Sequence, residues 1–242
     1  MEELARKQSL QLFENLMIMN CKRMKPTQLI IMVWSLICLS CNAQSETQKL
    51  KTGDLLFQAA GSSSLSQAID KVTQTDSATH YSHVGIAKVK DDGSVVVLHA
   101  SIEGGTCEVS LNDFLNPKGK TVQTVLYRLK KKWQNTIPDA VIKAEGMLGK
   151  PYNFSYVLSD SSHYCSEFIY KAFEKDSVFE LNPMTFKDPK TGEFLQGWVQ
   201  HYQNLGIEIP EEKLGCNPNG MAASDKLECL GRLNLSKVNS QS

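Results

Sequence analysis

Residues 81–101 read YSHVGIAKVKDDGSVVVLHAS, and this stretch decides the fold of the chain. Two runs rich in β-branched residues flank the tripeptide at 91–93, Asp-Asp-Gly, which is typical of a three-residue hairpin loop that ends in a left-handed glycine. Such a loop pairs Lys90 with Ser94. The stretch therefore predicts a β-hairpin, and with it an antiparallel sheet.

The register of this hairpin decides where two histidines lie. With the three-residue loop, His99 lies opposite Gly85, and His83 is a diagonal neighbour of His99 on the same face, about 7 Å away at the backbone. A two-residue turn at Asp92-Gly93 would instead send the two imidazoles to opposite faces. The Asp-Asp-Gly sequence fits the first register, and the pairing of the histidines depends on it.

The rest of the sequence predicts a mixed α+β domain that contains this hairpin. Turn residues, capping residues and the spacing of apolar side chains indicate the other elements. They are strands near 53–57 and 122–129, and helices near 62–72, 136–149, 165–173 and 194–202. The fold class expected is α+β, an antiparallel sheet packed against helices.

Composition sets broad limits on the function. The 242 residues include 26 basic and 26 acidic side chains, and 41% are hydrophobic. A neutral chain lacks the basic excess of nucleic-acid-binding proteins, so no nucleic acid is expected as a partner. The length suits one globular domain with a tail. The 7 cysteines are too sparse for a disulfide scaffold, although Cys216 and Cys229 are candidates for one bridge.

The N-terminal region carries the pattern of an export signal. Residues 29–39, LIIMVWSLICL, form an uncharged apolar run after basic residues, which is typical of a secretory signal peptide and short for a membrane span. Cleavage after Ala43 would divide the chain into an extension at 1–43 and a folded domain at 44–242. Alternatively Cys41 is lipidated and anchors the protein, or the run stays uncleaved as an anchor helix. The expected location is the periplasm or cell envelope.

Cys165 is the candidate nucleophile. It stands in the segment 163–167, HYCSE, directly before an apolar run of helical spacing, and therefore at a predicted helix start. Unpaired backbone amides at a helix start stabilise a thiolate, lower its pKa below the free value of about 8.5, and can bind an oxyanion. In this arrangement His83 acts as the base and His99 holds its tautomer. The structural alternative is that Cys165 is a small buried core residue.

Four other residues have weaker claims to a role. Tyr164 precedes the nucleophile and is a candidate contact for an oxyanion or the substrate, with a core aromatic as the alternative. Glu103 is a weaker alternative to His99 for the third catalytic role. His80 and His163 could join the hairpin histidines around a metal, but no HExxH or CxxC spacing accompanies them. We therefore expect no metal site and no cofactor.

Several of these segments resemble the cell-wall cysteine peptidases of the NlpC type. The segments 82–86, SHVGI, and 97–101, VLHAS, are similar to their pair of histidine strands, and 53–57, GDLLF, is similar to another element of theirs. In those peptidases the cysteine helix comes first, whereas here YCSE at 164–167 follows the strands. That order, together with LGKPYN at 148–153, resembles the circularly permuted papain-like group of YiiX-like and YaeF-like proteins.

The resemblance implies a permuted papain-like fold and a thiol hydrolase that cleaves amide bonds through an acyl-enzyme, with cell-wall (peptidoglycan) peptides as substrate. Two alternatives stay open. The same Cys-His site would serve a lipid amidase, esterase or acyltransferase, since relatives of lecithin retinol acyltransferase belong to this group. The domain would otherwise be an inactive surface binding module. Many permuted members use Glu as the third residue, which keeps Glu103 beside His99.

The partners expected from this resemblance are a cell-wall peptide or a lipid-derived substrate. A membrane is expected only through anchoring of the N-terminus, and no oligomeric state is predicted.

Overall fold

The computed structural model describes residues 49–75 and 79–233. The predicted signal segment, with Cys41 and Ala43, lies outside these residues, so its cleavage, lipidation and role in export stay predictions. In the part of the chain that is described, no helix has both the length and the apolar character needed to cross a membrane.

A six-stranded antiparallel sheet forms the centre of the fold. The described residues form these six strands and two further short ones: β1 Leu55–Ala59, β2 Tyr81–Val89, β3 Val95–Ser101, β4 Gly105–Ser110, β5 Thr124–Leu129, β6 Asn182–Pro183, β7 Leu214–Gly215 and β8 Leu227–Arg232. Their order in the sheet is β4-β3-β2-β1-β5-β8, and the short strands β6 and β7 pair separately. The hairpin strands β2 and β3 therefore both lie inside the sheet, and β4 is the edge strand beside β3.

Six α-helices in the described residues pack around this sheet. They are α1 Ser64–Val72, α2 Leu111–Leu115, α3 Ile137–Gly146, α4 Cys165–Phe173, α5 Gln196–Leu205 and α6 Pro218–Ala222, with 3-10 turns at Pro117–Gly119, Lys131–Thr136 and Glu174–Asp176. The predicted α+β class is confirmed, and so is the start of a helix at Cys165.

The hairpin between β2 and β3 has the predicted register. Gly85 pairs with His99, the Lys90 amide donates to the Ser94 carbonyl over 2.8 Å, and the Gly93 amide donates to the Lys90 carbonyl over 2.9 Å. Gly93 has a φ of 83°, the left-handed conformation that the three-residue loop requires. The conformation of the loop depends on neighbouring residues alone, so the sequence is enough to predict it.

The two strands of the hairpin separate beyond this pairing. The β2–β3 ladder ends at Gly85 and His99, although β2 reaches back to Tyr81 and β3 continues to Ser101. The pairing of β1 with β2 is irregular at the same level, because Ser82 is an extra residue in the ladder. Bulges of this kind are common next to active sites, and here one adjoins a gap between β2 and β3.

The two faces of the sheet carry different cores. The larger core lies between the sheet and helices α3, α4 and α5 and includes Val84, Ile86 and Phe168. The smaller core covers the opposite face and includes Val97 and Phe114, the latter from α2. Because side chains alternate along a strand, each residue of β2 belongs to one face or the other.

The cysteines give no support to the bridge considered from the sequence. The four cysteines in the described residues are free thiols, with Cys216 buried and Cys229 exposed on β8. The tail therefore folds against the domain without this bridge.

Candidate active site

A buried carboxylate fixes the start of α4. The amide of Tyr164, the residue before Cys165, donates to the Glu167 carboxylate over 3.2 Å. Glu167 is 0% exposed and also accepts hydrogen bonds from the Ser159 amide at 2.6 Å and from Asn153 Nδ2 at 3.0 Å. Glu167 thereby ties the preceding loop to the helix and positions Cys165.

The Cys165 thiol lies beside the backbone of β2, at the gap in the sheet. Its sulfur is 3.9 Å from the Ser82 carbonyl oxygen, the acceptor directly before His83. Burial raises the pKa of the thiol to about 11, and the backbone amides of Ser166, Val84 and Cys165 itself only partly oppose this rise. The expectation of a depressed thiol pKa is therefore wrong, because withdrawal from water outweighs the favourable helix start. The same amides are suitable donors for an oxyanion.

The two hairpin histidines are hydrogen-bonded to each other. His83 Nε2 and His99 Nδ1 are 2.8 Å apart, and both rings pack on Phe114 at centroid distances of 5.7 and 5.2 Å. Burial lowers the pKa of His83 to about 3, with a further contribution from His99, and burial lowers the pKa of His99 to about 4. Both imidazoles are therefore neutral at about pH 7, and the same burial that keeps them neutral makes them weaker proton acceptors than a solvated imidazole.

Catalysis by His83 Nδ1 would require one particular tautomer of this pair. His83 Nδ1 is free for chemistry, since it bonds to none of the residues that the structure describes. A bare Nδ1 requires that His83 carries its proton on Nε2 and donates it to His99 Nδ1. His99 then carries its own proton on Nε2, a buried atom with no partner among the described residues.

Neither imidazole contacts the thiol directly. The rings pack against Phe114 on the face of the smaller core, whereas Cys165 belongs to the larger core, and no hydrogen bond in the described chain joins the sulfur to an imidazole. The expectation that both histidines face Cys165 is corrected accordingly. Thiol and His83 are neighbours through the strand backbone, so a change of side-chain rotamer has to bring Nδ1 to the sulfur.

Tyr164 lines the cleft beside Cys165, but its hydroxyl is already engaged. The hydroxyl accepts a hydrogen bond from the Cys216 amide at 3.2 Å and lies 3.8 Å from the Cys216 sulfur. Tyr164 thus supports the wall of the cleft, and to bind an oxyanion its hydroxyl proton would have to point away from the Cys216 sulfur while the hydroxyl oxygen keeps the bond from the Cys216 amide.

Glu103 lies away from the histidine pair. It occupies the exposed turn after β3, where it forms an ion pair with Lys118. His99 is therefore the hydrogen-bond partner of His83, and Glu103 has no contact with His83 in the structure.

The other two histidines do not gather with the hairpin pair. His80 is exposed and bonds to Asp70 at 3.0 Å, whereas His163 is buried with its Nδ1 3.8 Å from Glu167. Within residues 49–75 and 79–233, no group of three or more His, Cys, Asp and Glu side chains is placed to hold a metal ion.

An apolar cleft opens next to Cys165. The space between its walls amounts to about 620 Å³, open solvent included. Its walls are mostly aliphatic and aromatic, and they include Ile69, Val72, Tyr152, Tyr156, Met184 and Trp198.

The sequence analysis missed Tyr152 and Tyr156 as cleft residues. Tyr152 falls within the LGKPYN segment, which supplied a resemblance but no role for it. Tyr156 has a φ of 55°, rare for an aromatic residue, and no local pattern indicates such a conformation. Both tyrosines reach the cleft through packing of the loop before α4, which only the tertiary structure shows.

The strands that carry the histidines precede the helix that carries the cysteine, which is the chain order of a permuted papain-like cysteine hydrolase. The sequence profile of one family matches residues 49–231, and the chain therefore belongs to the permuted papain-like amidases of the YaeF/YiiX, C92 family. This membership confirms the predicted resemblance, fold and class of enzyme.

Two proteins of Escherichia coli share this similarity. The uncharacterized protein YiiX of strain K12 is 33% identical over 189 residues, which cover 75% of this chain and 86% of YiiX. The crystal structure titled metalloprotein yiiX, from strain O157:H7, matches with a TM-score of 0.61 at 24% identity, covering 76% of this chain and 98% of that one. The second comparison shows the fold.

Proposed function

We propose that the protein is an exported thiol amidase that cleaves amide bonds in cell-wall peptides through an acyl-enzyme. The observation that carries the proposal is the 2.8 Å contact between His83, on the strand beside Cys165, and His99, on the next strand. It supplies a neutral imidazole, held by a second one, on the strand whose backbone adjoins a nucleophile met by backbone amides; the imidazole reaches the sulfur in a different rotamer.

The chemistry follows from these groups. Cys165 Sγ attacks the substrate carbonyl carbon while the thiol proton passes to His83 Nδ1. Amides at the start of α4 stabilise the negative charge on the carbonyl oxygen. The carbon–nitrogen bond then breaks, and the amine leaves with the proton from His83. Water attacks the thioester, gives a proton back through His83, and releases the acid and the free thiol.

A peptide substrate in the cell wall is supported by sequence. The segments at 82–86 and 97–101 are similar to the histidine strands of cell-wall peptidases, and the apolar run at 29–39 predicts export to the compartment that holds this substrate. Anchoring through a lipid on Cys41 belongs to the same proposal.

The lining of the cleft favours a second candidate, a lipid amide or ester that is hydrolysed or transacylated. Apolar side chains are partly exposed at its margin: Phe154 is 38% exposed and packs on Tyr152, and Leu214 is 55% exposed and pairs with Pro183 of the cleft wall. Such a surface suits an acyl chain.

Product analysis distinguishes the two candidates. Purified protein is incubated separately with muropeptides and with phospholipids or N-acyl lipids, and products are identified by mass spectrometry. We expect new amino and carboxyl termini in the muropeptides with wild-type protein, none with Cys165→Ala, and wild-type levels with the exposed-thiol control Cys229→Ala. Release of fatty acid with intact muropeptides would select the second candidate. Loss of activity on addition of a chelator, with Cys165 unmodified, would contradict the thiol mechanism.

A further inference from the structure

Met184 and Gly215 make a contact at the wall of the cleft that the amidase mechanism does not use. Met184 lines the cleft beside Cys165 and packs against the larger core. Its side chain lies directly over Gly215 of β7: a Cβ atom at position 215 would overlap with Met184 Sδ and would lie 2.6 Å from Cε and 3.0 Å from Cγ. The missing side chain of Gly215 therefore leaves the space in which the Met184 side chain lies.

The backbone around this contact is held by hydrogen bonds. The Met184 amide donates to the Lys213 carbonyl over 2.9 Å, and the Glu212 amide donates to the Met184 carbonyl over 2.8 Å. The φ of Gly215 lies outside the left-handed region, so an alanine at this position can adopt the same backbone conformation. The Met184 side chain is therefore the part of this wall that can move.

Helix α1 supplies another wall of the cleft and is held at its C-terminal end. Thr73, the residue after α1, accepts a hydrogen bond from Asn219 Nδ2 at 2.8 Å, and Lys71 forms an ion pair with Asp188 at 2.5 Å. Methionine is flexible about three bonds, so a methyl group at position 215 would displace the Met184 side chain, and the open space beside that side chain is the cleft. The contact with Gly215 thereby determines how much room the cleft offers.

We propose that Gly215, by leaving room for the Met184 side chain, sets the length of the apolar acyl group that the cleft accepts. The inference rests on the proposed amidase function and narrows its substrates to amides whose acyl side carries a slender apolar group. The acyl group stays bound to Cys165 Sγ in the acyl-enzyme, so the walls beside the sulfur have to hold this part of the substrate. Apolar walls favour it by about 4-fold for each buried CH2 group.

A series of probes with one leaving group tests the length limit: butyryl, hexanoyl, octanoyl and decanoyl amidomethylcoumarin. With wild-type protein we expect kcat/KM to rise with chain length and to level off when the cleft is full. Gly215→Ala should level off at a shorter chain and lower the decanoyl-to-butyryl ratio of kcat/KM by about 10-fold, whereas Met184→Ala should level off at a longer chain or raise that ratio. An unchanged profile in Met184→Ala would overturn the proposal.

The double variant Gly215→Ala/Met184→Ala separates displacement of Met184 from general damage. If the added methyl group acts through Met184, the double variant should accept chains at least as long as wild type does. A limit that stays as short as in Gly215→Ala would overturn the proposal. If Gly215→Ala shows no cooperative thermal unfolding, the profile of Met184→Ala decides alone.

Gly146→Ala is the matched control, because it adds the same methyl group where nothing lies within 4 Å. It should keep the wild-type chain-length profile. A shorter limit in Gly146→Ala would show that the preference responds to changes away from the cleft, and it would contradict the proposal.

Binding to the inactive protein gives an answer that does not depend on turnover. Hexanamide and decanamide are titrated by calorimetry into Cys165→Ala and into Cys165→Ala/Gly215→Ala. We expect the second variant to bind decanamide about 10-fold more weakly and hexanamide within about 2-fold of the first. If wild-type protein cleaves none of the probes, the proposed function fails, and this binding difference alone decides the role of Gly215. Equal affinities of the two variants for decanamide, or absence of binding to both, would overturn the proposal.

Discussion

Gly85 lies opposite His99 and makes the histidine pair possible. A Cβ atom at position 85 would lie 2.5 Å from Val97 Cγ1, 3.0 Å from Phe114 Cε2 and 3.2 Å from His99 Cβ. The absence of a side chain lets the His99 ring lie against Phe114, with Nδ1 turned toward His83.

Gly85→Ala should therefore disrupt the site as well as the packing. We expect the variant to lose about 1–3 kcal/mol in the free energy of unfolding, because the methyl group meets Val97 and Phe114 in a filled core. The catalytic rate should fall by more than the loss of folded protein explains, because His99 has to move away from the added methyl group. Gly146→Ala, at an α3 position with open space around it, should be neutral or stabilising by up to about 1 kcal/mol in the same urea titration. A Gly85→Ala protein with full activity would contradict this account.

The role of His99 can be separated from its packing. His99→Ala should reduce kcat by about 100-fold, because the ring position and tautomer of His83 are then unconstrained. His99→Asn or His99→Gln should retain more activity, since a polar side chain can still accept from His83. Steady-state kinetics alongside thermal unfolding make the comparison.

Glu103→Gln is the control for that series, because Glu103 is exposed and paired with Lys118. Glu103→Gln should change neither kcat nor Tm appreciably. Retained activity in His99→Ala together with loss in Glu103→Gln would assign the third role to Glu103.

The raised pKa of Cys165 sets the pH dependence of alkylation. A thiol with a pKa of about 11 is protonated at neutral pH, so its rate of reaction with iodoacetamide should keep rising with pH above 8. Mass spectrometry of the labelled peptide gives the rate for Cys165, and the exposed Cys229 serves as the reference thiol. A plateau below about pH 7 would show a thiolate already formed, and hence a rotamer in which His83 reaches the sulfur.

The histidine pair makes the fold sensitive to acid. The folded pKa values of His83 and His99, about 3 and 4, lie below the ordinary 6.5 of an unfolded chain. In that window the unfolded state binds more protons, so the free energy of unfolding falls as pH decreases from about 6.5 toward about 4. Urea unfolding at about pH 7 and about pH 4.5 measures the drop. The double variant His83→Gln/His99→Gln should lose less stability over the same interval, and an equal loss would assign the effect to other groups.

Local chemistry made part of this site predictable. The hairpin register follows from Asp91, Asp92 and Gly93, and the start of α4 follows from apolar spacing after Cys165. The pairing of His83 with His99 is a consequence of that register, so a sequence pattern sufficed to predict it.

The rest depends on contacts between distant segments. The gap between β2 and β3 forms where α4 meets the sheet, the rise in the Cys165 pKa comes from burial by that packing, and Tyr156 reaches the cleft by an unusual backbone conformation. No periodicity or spacing encodes these properties, and the wrong expectation for the thiol pKa came from considering the helix start without its surroundings.

The gap between β2 and β3 also bears on how substitutions affect the solubility of the protein. The Ser82 carbonyl and the Val84 amide face the Cys165 side chain at this point. If α4 detached, these strand ends would become an unprotected edge able to pair with another chain. Substitutions that loosen α4 should therefore promote aggregation, so that solubility and the structure of the candidate site around Cys165 are lost together.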